Sequence, residues 1–154
     1  MIKTSSGSTV TAEVNSFSPT IELVTGAVMN VDNTGATINT LILNGGTFNA
    51  PTGTMNFYAQ GNSPLQYNGG TFNTNSGTVQ FIGRQCTIAT KLPLELYNVN
   101  ISMIPPHRFV VNNTDGDLNI NGTLTLIDGN LGTASAVNVM NAKDNVLVKS
   151  TFDG

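Results

Sequence analysis

Apolar residues recur at every second position over short runs along this chain, and the runs stop at Gly, Asn, Asp or Pro. Thr123-Leu124-Thr125-Leu126 and Asn119-Ile120-Asn121 show the alternation most plainly. A period of two sends neighbouring side chains to opposite faces of a strand, one toward a core and one toward water. No window carries a convincing 3.6-residue period, so no helix is predicted. The pattern predicts strands at residues 20–24, 27–31, 37–43, 54–58, 65–67, 78–82, 86–89, 94–101, 109–111, 118–120, 123–127, 136–140 and 146–148.

The strands belong to a repeat. Asn44-Gly45-Gly46-Thr47-Phe48-Asn49 returns as Asn68-Gly69-Gly70-Thr71-Phe72-Asn73, and Gly53-Thr54-Met55-Asn56-Phe57 returns as Gly77-Thr78-Val79-Gln80-Phe81, each 24 residues later. A unit that short cannot bury its own apolar side and must stack on copies of itself. Three strands in each 24-residue unit predict an all-β fold, a parallel β-helix (β-solenoid) of roughly six turns. At about 4.8 Å per turn the coil is roughly 30 Å long. Phe48 would then lie over Phe72 and Phe57 over Phe81, with Leu124 and Leu126 also in the core. Asn44-Gly45, Asn68-Gly69 and Asn121-Gly122 would form corners, since Asn tolerates left-handed backbone and its amide can bond the Asn of the next turn. Asn-Gly is also a strong hairpin signal, so an antiparallel β-sandwich is the alternative.

Residues 1–15, rich in Ser and Thr, read as a flexible lead-in or N-terminal cap. Residues 16–154 read as one solenoid domain. Residues 91–108, with Pro93, Pro105-Pro106 and His107, read as an irregular loop leaving the coil, because proline removes ladder donors.

Composition sharpens the picture. Charged residues are 10% of the chain, against about 25% in ordinary domains, while Asn and Thr together make up roughly a quarter. Hydrophobic residues still reach 39%, which excludes a disordered chain. The net charge of −3 and the absence of a contiguous Lys/Arg cluster argue against a nucleic-acid partner. No apolar run approaches the roughly 20 residues of a membrane-spanning helix. Cys86 is the only cysteine, so no internal disulfide forms. The start has no apolar signal-peptide core, which suggests an excised or mature piece of an exported protein.

Three segments carry a family resemblance: Gly77-Thr78-Val79-Gln80-Phe81-Ile82-Gly83, then Leu96-Tyr97-Asn98-Val99-Asn100-Ile101, then residues 118–131, which read Leu-Asn-Ile-Asn-Gly-Thr-Leu-Thr-Leu-Ile-Asp-Gly-Asn-Leu. Their order resembles the repeats of very large secreted and cell-surface proteins of Bacteroidetes and related bacteria. The resemblance spans about residues 44–131. It implies an adhesin-like β-solenoid array and an extracellular or cell-surface location.

Candidate chemistry is sparse. His107 is the only histidine, and no G-x-S-x-G frames a nucleophile. Cys86, two residues after Arg84, reads first as a small apolar filler within a strand. One Cys and one His make no zinc set. Asp115 and Asp117 give a weak calcium candidate, with an Asx-turn as the plainer reading. Asp128 and Asp144 are a pair that would have to meet across turns for glycosidase-like work. Three glycosylation sequons, at Asn100, Asn112 and Asn121, arise by chance in so Asn- and Thr-rich a chain.

The expected function is therefore structural or adhesive: a non-enzymatic segment of a surface fibre or large adhesin, self-associating or continuing into further repeats, without a cofactor and with surface glycans as a candidate partner. The alternatives are a carbohydrate- or ice-binding module and a phage-type fibre that cleaves polysaccharide.

Overall fold

The computed structural model describes residues 2–12, 18–113, 116–133 and 139–153. The described residues form no helix. In chain order the strands begin with β1 Ile2–Lys3, β2 Thr9–Ala12, β3 Ser18–Leu23, β4 Val28–Val31, β5 Thr37–Asn49 and β6 Thr54–Ala59. They continue with β7 Asn62–Asn73, β8 Thr78–Gly83, β9 Cys86–Thr90, β10 Leu94–Leu96, β11 Asn98–Met103 and β12 Arg108–Asn113. The last are β13 Leu118–Ile120, β14 Leu124–Asp128, β15 Asn130–Thr133, β16 Met140–Ala142 and β17 Val146–Val148.

All their pairings are parallel, and partners lie about one turn apart in sequence. The chain is a three-sided β-solenoid of about six turns. Its first face stacks β1, β3, β5, β7, β9, β12 and β15. The second face stacks β2, β4 and the far halves of β5 and β7, then a separate sheet of β10, β13 and β16. Pro93, which has no N–H to give, stands where this second face changes sheet. The third face runs from the start of β5 through β6, β8, β11, β14 and β17. The antiparallel sandwich is thereby excluded: residues 47–49 and 71–73 lie in parallel register, Phe48 opposite Phe72.

The period is not uniform. Ile2, Ile21, Leu41, Leu65, Ile88 and Val111 form one column, and their numbers step by 19 and 20, then by 24, 23 and 23. The step from Ile21 to Leu41 is shorter because the third face there is only Thr37 and Ile38, against the six residues of β6 one turn later.

Alternation fills the core. In β6, β8 and β11 every second residue is buried. Phe48, Phe57 and Phe81 are fully buried, and Phe72, Leu124 and Leu126 are buried as well. Phe57, Phe81 and Phe109 pile up with ring centroids 5.4 and 5.0 Å apart, and Phe48 lies 5.1 Å from Phe72. Aromatic contacts at such distances add to the burial of the rings themselves.

Two expectations need correction. Residues 94–101 are not one strand: the exposed Tyr97 turns the chain between β10 and β11. The alternation shows why, since Leu94 and Leu96 point inward on even numbers and Val99 and Ile101 on odd ones. Nor do residues 91–108 leave the coil, because β10 and β11 lie within them. Pro93 and the cis Pro105-Pro106 pair occupy corners, where no ladder donor is required. Within residues 1–15, β1 and β2 pair with β3 and β4. Residues 136–138 of the 136–140 strand lie outside the described residues.

Candidate functional site

Outward positions on the faces and corners carry stacked polar side chains. Along one line Asn30 Nδ2 donates to Thr11 Oγ1 (3.3 Å), Asn49 Nδ2 to Asn30 Oδ1 (2.7 Å) and Asn73 Nδ2 to Asn49 Oδ1 (2.6 Å). At the corner between the first and second faces, Asn68 Nδ2 donates to Asn44 Oδ1 (2.8 Å) and Asn44 Nδ2 to Glu22 Oε1 (3.0 Å). Lys3 closes that line on Glu22 at 3.2 Å. In each of these amide bonds the later turn donates and the earlier turn accepts, while the Lys3 ammonium of the first turn donates the other way. The two ladders thus share a direction with the chain, and the amides of Asn30, Asn44, Asn49, Asn68 and Asn73 each donate to the adjacent storey.

Asn121-Gly122 lies at a different corner, between the second and third faces. Asn121 Nδ2 donates to Glu95 Oε2 (2.7 Å), and Lys143 pairs with the same oxygen at 3.3 Å. Asn44, Gly45, Asn68 and Gly69 thus share one corner, while Asn121 and Gly122 serve another.

The chemical candidates are scattered. Cys86 is fully buried at the start of β9, and burial pushes its thiol up from its ordinary value. His107 sits in the corner between the third and first faces, its backbone N–H bonded to the Ile104 carbonyl at 2.9 Å. Asp115 lies outside the described residues. Asp117 is exposed, and its carboxylate accepts a long 3.5 Å bond from Asn141 Nδ2. Among the described residues no group of three or more His, Cys, Asp or Glu gathers as a metal ion would need. Asp128 and Asp144 stand at opposite ends of the third face and do not form a carboxylate pair.

The structure does assemble one group that a linear scan misses. Cys86 is in register with Phe109, which sets Arg84 and Gln85 beside His107 and Arg108 on neighbouring turns of the third-to-first corner. Arg84 and Arg108 are both exposed. The signal was available in the repeat itself: Arg84 displaced by one turn falls on His107-Arg108.

The edge strands differ in character. Among the described residues β1, β2, β10, β15, β16 and β17 each pair on one side only. Val146, Leu147 and Val148 in β17 are 51%, 50% and 62% exposed. Among the described residues no helix is long and apolar enough to cross a membrane.

No protein-family model, no curated protein and no solved structure matches the chain.

Proposed function

We propose that this chain is a structural and adhesive β-solenoid, a segment of a surface fibre or large adhesin that works outside the cell. The observation that carries this is the directional stack: parallel turns in register, with amide ladders in which each storey accepts from the next. Such a stack templates a further parallel turn at either edge, whether from the same polypeptide or from another copy. The exposed apolar β17 is the edge best suited to extension. Low charge removes the repulsion that would oppose close packing of neighbouring rods. An extracellular setting fits a fold held by continuous ladders rather than by disulfides. No catalysis is assigned to Cys86, which is sealed from solvent, or to His107, which has no acidic or nucleophilic partner in its corner among the described contacts.

Electron microscopy and light scattering across a concentration series test the proposal. The expected result is particles of constant width that lengthen in steps of roughly 30 Å, with a 4.8 Å axial repeat in diffraction. Particles that stay single at every concentration would remove self-extension from the proposal.

One observation favours a second reading, a module that binds a regular polar lattice. Thr37, Asn56, Gln80, Asn100 and Thr125 form an outward row on the third face, and β6, β8 and β11 carry no charged residue. Inhibition of ice recrystallisation, lost on placing Lys at Gln80 and Asn100, would establish it.

A further inference from the structure

We propose that the corner bearing Arg84, His107 and Arg108 binds an acidic polysaccharide, a sugar chain with carboxylates or sulfates recurring along its length. The strip names a partner for the adhesive role proposed above and rests on that reading.

Charge placement is the first argument. Two of the chain's six Lys and Arg are matched in ion pairs, Lys3 with Glu22 and Lys143 with Glu95. Arg84 and Arg108 have no ion-pair partner among the described residues and sit on neighbouring turns of one corner. No carboxylate lies in this corner from Gln60 to Arg108. The next turn brings Asp128, but its Oδ1 accepts the Gly129 N–H at 2.9 Å within its own turn. Beyond it Lys149, whose backbone N–H bonds the Leu126 carbonyl at 2.8 Å, adds a cation in the next storey, where Asp153, whose backbone N–H bonds the Gly129 carbonyl at 3.1 Å, adds a second carboxylate.

Geometry is the second. The Arg108 stem passes over Gly132 on the first face, with Cδ 3.4 Å from where a glycine Cβ would stand. A Cβ at Gly132 would meet that stem at ordinary van der Waals contact. Gln85 and Asn130 flank Arg108 by register and offer amide donors to hydroxyls or carboxylates. Guanidinium groups bind carboxylate and sulfate through two parallel N–H bonds, which a lysine cannot reproduce.

Spacing is the third and selects the partner. Arg84 and Arg108 stand on adjacent storeys about 4.8 Å apart, Asp128 interrupts the line, and Lys149 shares its storey with Asp153. A nucleic-acid strand carries a charge every 3.4 Å or so, and a duplex one every 1.7 Å or so, on a continuous backbone. The overall charge of −3 repels so dense a polyanion. A more sparsely charged, hydroxyl-rich sugar chain fits the strip better.

The test is titration calorimetry of the full chain at low ionic strength against polygalacturonate, a dextran sulfated at fewer than one site per glucose, neutral dextran and a single-stranded oligonucleotide. Binding of either acidic glycan is expected, weakening as salt rises, and which one binds separates carboxylate from sulfate recognition. The Arg84→Gln/Arg108→Gln double variant should lose about tenfold in affinity, while Lys143→Gln at another corner should change it less than about twofold. No binding of either glycan, binding untouched by the double variant, or tighter binding of the oligonucleotide would overturn the strip. Small-angle scattering on the same samples reports the solenoid's dimensions, so loss of the strip is distinguishable from loss of the rod.

Discussion

Gly70 shows how closely neighbouring storeys approach at a corner. It adopts φ +94°, and a Cβ there would lie 2.2 Å from the Gly46 carbonyl oxygen of the turn below. Gly61 has a similar φ of +87° with nothing within 4 Å. Gly61→Ala should therefore cost only the left-handed backbone strain, about 1–2 kcal/mol. Gly70→Ala adds a backbone collision and should cost about 3 kcal/mol or more, read as a larger drop in urea midpoint. Cys86 makes a different statement about burial. Its thiol is pushed up from 9.0, so the folded chain keeps a proton that the unfolded chain releases in alkali. The contribution is complete below pH 9 and is lost as pH rises above it, by up to about 1.4 kcal/mol per unit. Tyr67, also raised by burial from 10.0, adds to the slope at higher pH. Urea midpoints should fall from pH 9 to pH 10, and less steeply in Cys86→Ala. A native chain should also resist thiol reagents until it is unfolded.

Strands and ladders are the scale at which the pattern was most readable, and its failures are instructive. Period-two alternation located β6, β8 and β14 closely because each is bounded by Gly, Pro or Asn. The corner at Tyr97 has no Gly or Pro, its Asn98 recurs in an alternating Asn98-Val99-Asn100 run that reads as strand, and the shift of buried positions from even to odd is what reveals it. The prolines at 93, 105 and 106 suggested departure from the coil, although a three-sided coil has corners where a missing N–H does no harm. Ladder energetics can be tested within one line. Asn49 both donates to Asn30 and accepts from Asn73, while the Asn73 side chain, among the described residues, takes part in a single rung with Asn49. Asn49→Ala should cost about 2 kcal/mol and Asn73→Ala about 1 kcal/mol. The double variant should cost less than the sum, because the Asn49–Asn73 bond is counted in both single variants. Strict additivity in denaturant titrations would show that the amides act independently rather than as a ladder.

For the molecule as a whole, what a sequence reveals depends on whether turns share a length. The middle turns differ from 24 residues by one at most along the first face, so their motifs align by eye; the first two, at 19 and 20, do not. The basic corner was hidden for the same reason in reverse: Arg84 and Arg108 are distant in sequence and adjacent only once the coil is wound. A stack of near-equal storeys makes a sharp structural demand that can be tested by removing one. Thr54 is in register with Thr78, and so on through Ala59 with Gly83. Deleting residues 54–77 joins Gly53 to Thr78 and takes out one full turn without changing which residues face inward. The shortened chain should fold, retain its β-sheet circular dichroism and scatter as a particle about 4.8 Å shorter. Its stability should fall by roughly one storey's share, since each turn contacts only its neighbours. Deleting residues 54–76 instead leaves one residue too many, which moves the buried set of β8 toward water unless a bulge absorbs the slip. That chain should be far less stable than the one lacking a complete turn. Equal stability of the two deletions would mean that vertical register does not govern this fold.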